Sequence, residues 1–252
     1  MSLNGDLTGR HALVTGGGTG IGRAIAEALR DAGAAVTVTG RREEKLREVE
    51  GCTPVVMDVA DEASVIAGAA RAREANGPVN ICVANAGIAE GASLRDTDAD
   101  FWRRMMAINL DGCFHTFRAC IPDMLAEGWG RAIAVSSIAG LRGLRGAAAY
   151  TASKHGMVGL VRGLAADFAG KPLTINALCP AYVDTEIVSY NTRRLMERTG
   201  RSEAEALQML QGVNPHGRLI APSEVASAAL WLCSDGAASV HGQAIQIAGG
   251  EV

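Results

Sequence analysis

The sequence predicts an α/β protein built on a doubly wound, mostly parallel sheet of seven strands flanked by helices. Three observations carry this. Short apolar, β-branched runs alternate with longer helical patterns at regular spacing along the chain. The run over 35–39 is β-branched and uninterrupted, as central parallel strands tend to be. Aromatic residues make up only 4% while Gly and Ala are abundant, a mix that suits close helix–sheet packing and not a β-sandwich.

Residues 11–15 read as the first buried strand, followed by a glycine-rich turn over 16–22. An amphipathic helix is expected over 23–31, closed by Gly33, and a second strand over 35–39 completes one βαβ unit. The alternation then repeats. A short charged helix is predicted over 42–49 and a strand over 54–57. A helix over 61–75 follows, with Asp61 near its N-cap, then a strand over 79–83. One long helical pattern covers 98–127 and contains Asn109. Strands are expected over 131–135 and 173–178, separated by an Ala- and Gly-rich helix that starts near Tyr150 and runs to about Ala169. Residues 186–212 are charged and irregular, one or two helices. Pro222 sits in the first turn of another helix, where its missing N–H costs nothing, and a seventh strand covers 243–248.

A chain of 252 residues with 48% hydrophobic and 20% charged residues has a packed core available. No linker or composition break divides it, so one domain is expected over 1–252. The net charge of −3, without a basic stripe, argues against nucleic acid as a partner. No run of about 18 apolar residues exists to cross a membrane, and no basic segment leads into an apolar run near Met1, so no export signal is expected. The six cysteines are scattered without CxxC spacing or Cys/His clusters, so free buried thiols, no metal and a cytoplasmic setting are expected.

In a doubly wound sheet, ligands bind beyond the C-terminal strand ends, where strand order reverses. The marked residues fall there: the turn Gly16 to Gly22, Asp58, Asn85-Ala86-Gly87, Ser136-Ser137, and Pro180 to Thr185. A glycine turn opening a helix offers free N–H groups to phosphate oxygens. Tyr150 and Lys154 stand one helical turn apart, and an ammonium beside a phenol favours the phenolate. Alone, that pair more often means a packed helix start and a solvated charge.

Together the motifs decide. Thr15-Gly16-xxx-Gly20-Ile21-Gly22, Asn85-Ala86-Gly87, Ser137 thirteen residues before Tyr150, and Tyr150-xxx-Lys154 resemble the short-chain dehydrogenase/reductase family over nearly the whole chain. The resemblance implies a single NAD(P)-binding Rossmann domain, with substrate loops at about 139–149 and 184–215. Gly16, Thr19, Gly20, Ile21 and Gly22 would then line the cofactor pyrophosphate, and Asp58 and Val59 would meet the adenine. Asn85 and Ala86 would border the cofactor, with Gly87 giving clearance. Pro180, Val183 and Thr185 would contact the nicotinamide. The implied catalytic set is Asn109, Ser137, Tyr150 and Lys154. Asn109 would support a water linking Lys154 to solvent, and Ser137 would bond the substrate oxygen. Tyr150 would transfer the proton, and Lys154 would lower the Tyr150 pKa and hold the nicotinamide ribose. Two departures stand out: Ala181 where the family usually has glycine, and Ala248 where it often has Asp.

The end of the second strand carries Gly40-Arg41-Arg42 and no acid. Two guanidiniums suit a 2′-phosphate, so Arg41 and Arg42 favour NADP(H), with NAD(H) as the alternative. In the first substrate loop, Leu141 and Leu144 would form an apolar wall, while Arg142 and Arg145 could attract an anion. The second loop carries the run Arg193-Arg194…Glu197-Arg198. Its length and style resemble 3-oxoacyl thioester and polyketide ketoreductases. The expected activity is NADPH-dependent reduction of a 3-oxoacyl thioester or similar ketone. The alternatives are NAD-dependent oxidation of a small or cyclic secondary alcohol or 3-hydroxy acid, and, more remotely, a non-catalytic nucleotide sensor. The resemblance also implies a homotetramer or homodimer, with the helices around Asn109 and Tyr150 meeting across an interface. Phe101, Trp102 and Trp231 are expected in core or subunit contacts, and His155, His216 and His241 in structural roles.

Overall fold

The computed structural model describes residues 6–251, without the side chains of Ile187, Ser189, Tyr190, Asn191, Arg194 and Arg198. Among the described residues, seven strands form one parallel sheet: β1 (His11–Thr15), β2 (Ala35–Gly40), β3 (Thr53–Val56), β4 (Ile81–Ala84), β5 (Gly130–Val135), β6 (Leu173–Pro180) and β7 (Ala244–Ile247). Their order is β3-β2-β1-β4-β5-β6-β7. The chain starts at the centre, winds to one edge, then returns to lay β4 beside β1. Loops leaving β1 and β4 therefore diverge, and a crevice opens at their C-terminal ends.

Helices cover both faces: α1 (Gly20–Asp31), α2 (Glu43–Arg47), α3 (Glu62–Asn76), α4 (Ala99–Met106), α5 (Gly112–Ala126), α6 (Ala148–Asp167), α7 (Glu186–Thr199), α8 (Glu203–Gln211) and α9 (Pro222–Cys233). On one face, Ile25 and Leu29 of α1 and Val225 and Leu232 of α9 pack on β1, β2 and β5. On the other, Phe117 and Met124 of α5 and Met157 and Val161 of α6 cover β4 to β6. Every residue of β5 and β6 is buried, including the polar Arg131, Thr174 and Asn176.

Strand and helix positions match the sequence reading to within about two residues at most ends. Asp61 caps α3, its carboxylate accepting the Ala63 N–H at 3.0 Å. The helical pattern over 98–127 is not one uniform helix. Asp98 caps α4, and Ala107–Asp111 form a wider π-helical turn before α5. The charged stretch after β6 resolves into α7 and α8. Gly200 (φ +69°) ends the first, and a Ser202–Glu205 capping box starts the second. All six cysteines are free, Cys52 half-buried and the others buried. Among the described residues, no helix is long and apolar enough to cross a membrane.

Candidate active site

The glycine turn leaves β1 with Gly16 at φ +62° and starts α1 with Gly20 at φ +53°, a backbone region that favours glycine. Thr19, the N-cap of α1, makes no side-chain cap bond. The first N–H groups of α1 therefore remain available to an anion, which also meets the positive helix end. The turn is locked to β4. The Thr15 hydroxyl accepts the N–H groups of Asn85 (2.9 Å) and Ala86 (3.0 Å). Asn85 Nδ2 donates to the carbonyls of Thr15 (2.9 Å) and Gly16 (3.3 Å). Gly22 does not line the cleft. It packs so tightly on the Gly16 carbonyl and the Asn85 amide that a Cβ would fall well inside 3.0 Å of both.

Around this turn a cleft of about 1000 Å³ runs along the C-terminal strand ends. At one end stand Thr39, Arg41, Arg42, Lys45, Asp58 and Val59. No carboxylate follows β2 before Arg41 and Arg42. Arg42 and Glu186 approach to 3.7 Å, both largely exposed, and Arg41 is exposed. The Thr39 hydroxyl is buried without a partner among the described residues. The glycine cradle, the open helix N-terminus, this orphaned hydroxyl and the paired arginines fit a phosphorylated nucleotide.

The chemistry-bearing side chains meet at the other end. Ser137 follows β5 and accepts the Ala139 N–H at 3.1 Å. Tyr150 stands in the first turn of α6, and Lys154 one turn further on, its Nζ 5.8 Å from the Tyr150 ring centroid. Lys154 is buried, and Nζ donates to the Val135 carbonyl at 2.9 Å. Burial pulls its pKa down from 10.5 to about 8. Burial pushes the Tyr150 phenol up to about 12, opposed by its hydrogen bond with Ser137. Desolvation is the largest influence on the phenol and favours its protonated form.

Asn109 does not reach the cleft wall. From the π turn, its Oδ1 accepts the Ile88 N–H at 2.9 Å. Its Nδ2 donates to the Ile88 carbonyl and the Ser153 hydroxyl, both at 3.0 Å. The side chain thus joins the loop after β4 to α6, behind Gly87, where a Cβ would meet Asn109 Oδ1 at 3.0 Å and Lys154 Nζ at 3.6 Å. The predicted residues Gly16, Thr19, Gly20, Ile21, Arg41, Arg42, Asp58, Val59, Asn85, Ala86, Gly87, Ser137, Tyr150, Lys154, Pro180, Val183 and Thr185 all line the one cleft. Ala181 needs no glycine, because no non-glycine residue among those described has positive φ.

The substrate end differs from the sequence reading in two places. Leu141 packs into the core under α6 instead of forming a cleft wall. Arg142 is ion-paired with Glu251 at 2.5 Å and does not line the cleft, so Leu144 and Arg145 alone carry the expected apolar and cationic character there. Arg193 and Glu197 flank a side hollow with Glu90, Asp96 and Phe101. Arg194 and Arg198 have side chains outside those described. Trp102 and Trp231 are exposed on the single chain, not in its core. His241 bridges the Ile175 N–H and the Ala165 carbonyl, a structural role. Ser136, marked in the sequence with Ser137, also lines the cleft, as do Lys45, Ile88, Tyr182, Val188, Leu195 and Leu210, which the sequence reading did not single out individually. Tyr182 lies inside the Pro180–Thr185 stretch already marked by position. The leucines lie in a segment whose helical face could not be assigned.

A family model described as enoyl-(acyl carrier protein) reductase matches residues 16–251. The chain is 36% identical to an acetoacetyl-CoA reductase of Rhizobium meliloti, covering 96% of this chain and 98% of that one. It is 34% identical to a D-beta-hydroxybutyrate dehydrogenase of the same organism, with the same coverage. A solved point variant of actinorhodin polyketide ketoreductase with NADPH superposes with a TM-score of 0.90, at 34% identity over 96% of each chain.

Proposed function

We propose, from the premise that this chain belongs to the short-chain dehydrogenase/reductase family, that it reduces a 3-oxoacyl thioester or similar ketone with NADPH. The chain is an oxidoreductase that interconverts a ketone and a secondary alcohol. The observation that carries the finer reading is the cleft itself. One end offers Arg41 and Arg42 after a strand with no terminal carboxylate, and the other offers Ser137, Tyr150 and Lys154. Similarity to an acetoacetyl-CoA reductase and to polyketide ketoreductases supports the substrate class.

NADPH, when bound, supplies the hydride for the carbonyl carbon. The glycine turn and the N-terminus of α1 hold its pyrophosphate. Arg41 and Arg42 grip the 2′-phosphate, and Asp58 and Val59 border the adenine. Pro180, Val183 and Thr185 border the nicotinamide. The hydroxyls of Ser137 and Tyr150 bond the substrate oxygen, and Tyr150 gives up its proton as charge develops there. The Lys154 ammonium then stabilises the phenolate left behind. Asn109 positions Ile88 and, through Ser153, the turn of α6 that carries Tyr150.

The second reading is NAD-dependent oxidation of a small or cyclic alcohol or 3-hydroxy acid. It is favoured by the approach of Arg42 to Glu186, which diverts one guanidinium, and by similarity to a hydroxybutyrate dehydrogenase. Titrating NADPH against NADH by fluorescence separates the two. Tighter NADPH binding is expected, and tighter NADH binding would overturn the first reading. A non-catalytic sensor is disfavoured because Ser137, Tyr150 and Lys154 are all present. We place the enzyme in the cytoplasm as a homotetramer or homodimer. Exposed Trp102 and Phe114 on α4 and α5 support the assembly, as does the open space beside Gly159 and Gly163 on α6. Light scattering showing a monomer would overturn the assembly.

A further inference from the structure

We propose that Tyr182, its backbone held beside the cleft by Asn214, is a specificity-determining residue whose hydroxyl donates to a second oxygen of the substrate. This deepens and rests on the reading of the chain as a ketone reductase. It narrows the substrate to ketones that carry another carbonyl close to the reacting one.

Tyr182 lies two residues past the end of β6 and lines the cleft together with Ser137 and Tyr150. The two phenols are near enough that a charge on Tyr182 would raise the Tyr150 pKa. The Tyr182 hydroxyl has no hydrogen-bond partner among the described residues, although both its backbone groups are fixed. Asn214, fully buried, accepts the Tyr182 N–H at 3.1 Å. Its Nδ2 donates to the Tyr182 carbonyl at 2.9 Å and to the Arg218 carbonyl at 2.7 Å. The Ile220 N–H reaches the same Tyr182 carbonyl at 2.9 Å.

A buried amide with its acceptor and both donors engaged rigidifies what it holds. Here that is one residue of the loop bordering the site. Arg142, the neighbour whose charge bears on Tyr182, is itself held by Glu251. Val188, Leu195 and Leu210 add apolar side chains to the same lining. A fixed donor against an apolar lining discriminates by what it leaves unpaired. A ketone with one carbonyl, already bonded by Ser137 and Tyr150, offers Tyr182 nothing. A 3-oxo ester or thioester presents a second acceptor two carbons away. Sites built to bond a substrate oxygen reject analogues that lack it.

The test compares ethyl acetoacetate with 2-pentanone, which lacks the second carbonyl, using the NADPH-loaded enzyme and its Tyr182→Phe variant. The ratio of kcat/KM for the two ketones is expected to fall about tenfold in Tyr182→Phe, chiefly through the KM for ethyl acetoacetate, the loss of one hydrogen bond. An unchanged ratio, or a fall carried wholly by kcat, overturns the proposal. Dissociation constants for both ketones, read from the fluorescence of bound NADPH, are measured in parallel. If wild-type enzyme turns over neither ketone, the ketone-reductase reading fails by itself. The Tyr182 proposal is then judged on binding: a tenfold loss of selectivity for ethyl acetoacetate in the variant supports it, and unchanged selectivity overturns it.

Discussion

Replacing Gly22 with alanine sets two effects of known size against each other. Gly22 lies in the first turn of α1, and helix propensity alone would reward alanine there by up to about 1 kcal/mol. The added methyl, however, would fall within 3.0 Å of the Gly16 carbonyl and the Asn85 amide nitrogen. Neither neighbour is a flexible side-chain end. One is turn backbone, and the other is held by bonds to Thr15 and Gly16 at 2.9 and 3.3 Å. Overpacking of this kind costs about 1–3 kcal/mol, and each of the two Asn85 bonds contributes about 1 kcal/mol. The net expectation for Gly22→Ala is a loss of about 1–4 kcal/mol, or a Tm lower by roughly 3–12 °C for a domain of this size. Because the displaced atoms form the phosphate cradle, NADPH affinity should fall at least about tenfold as well, since 1.4 kcal/mol suffices for that factor. Thermal unfolding and fluorescence titration read the two quantities. A variant within about 0.5 kcal/mol of wild type, binding NADPH equally well, would refute the packing argument.

Two other perturbations have expected outcomes. Lys154 keeps a pKa of about 8 when folded against 10.5 ordinarily, so its charge opposes folding below pH 8, and the opposition fades as pH rises toward 10.5. Relative to Lys154→Met, wild type should therefore gain up to about 3 kcal/mol of stability across that window in parallel denaturation curves, and ketone reduction should decline above pH 8 as the ammonium is lost. Arg41→Ala combined with Arg42→Ala should weaken NADPH binding about tenfold or more while leaving the NADH dissociation constant within about twofold, because each guanidinium–phosphate contact contributes roughly 1.5–3 kcal/mol when well formed.

The sheet was legible in the sequence because parallel strands buried on both faces leave uninterrupted apolar runs, and the crossover helices between them carry their own punctuation, such as Asp61 and Pro222. The meeting of Gly16, Asn85, Ser137 and Tyr150 at one edge followed from topology alone. What stayed hidden depended on burial or on distant partners. The π turn at Ala107–Asp111 adds one residue to a helical turn and barely alters the apolar spacing. Leu141 turned inward and Arg142 found Glu251, since a loop has no period to tell which side faces the cleft. Spacing shows the ammonium near Tyr150 but not the burial that acts on the phenol. Tyr182 was marked only by position, and Asn214 gave no signal, as their contact joins segments on either side of α7 and α8.

The central claim is that Tyr150 donates the proton in an NADPH-dependent ketone reduction, and Tyr150→Phe tests it most directly. NADPH consumption at 340 nm with a 3-oxoacyl thioester should fall by about 10²–10⁴-fold in the variant, the usual worth of a positioned general acid. NADPH binding, read by fluorescence, should stay within a few-fold of wild type. A Tyr150→Phe enzyme that binds NADPH normally and still turns over the thioester at the wild-type rate would contradict the account.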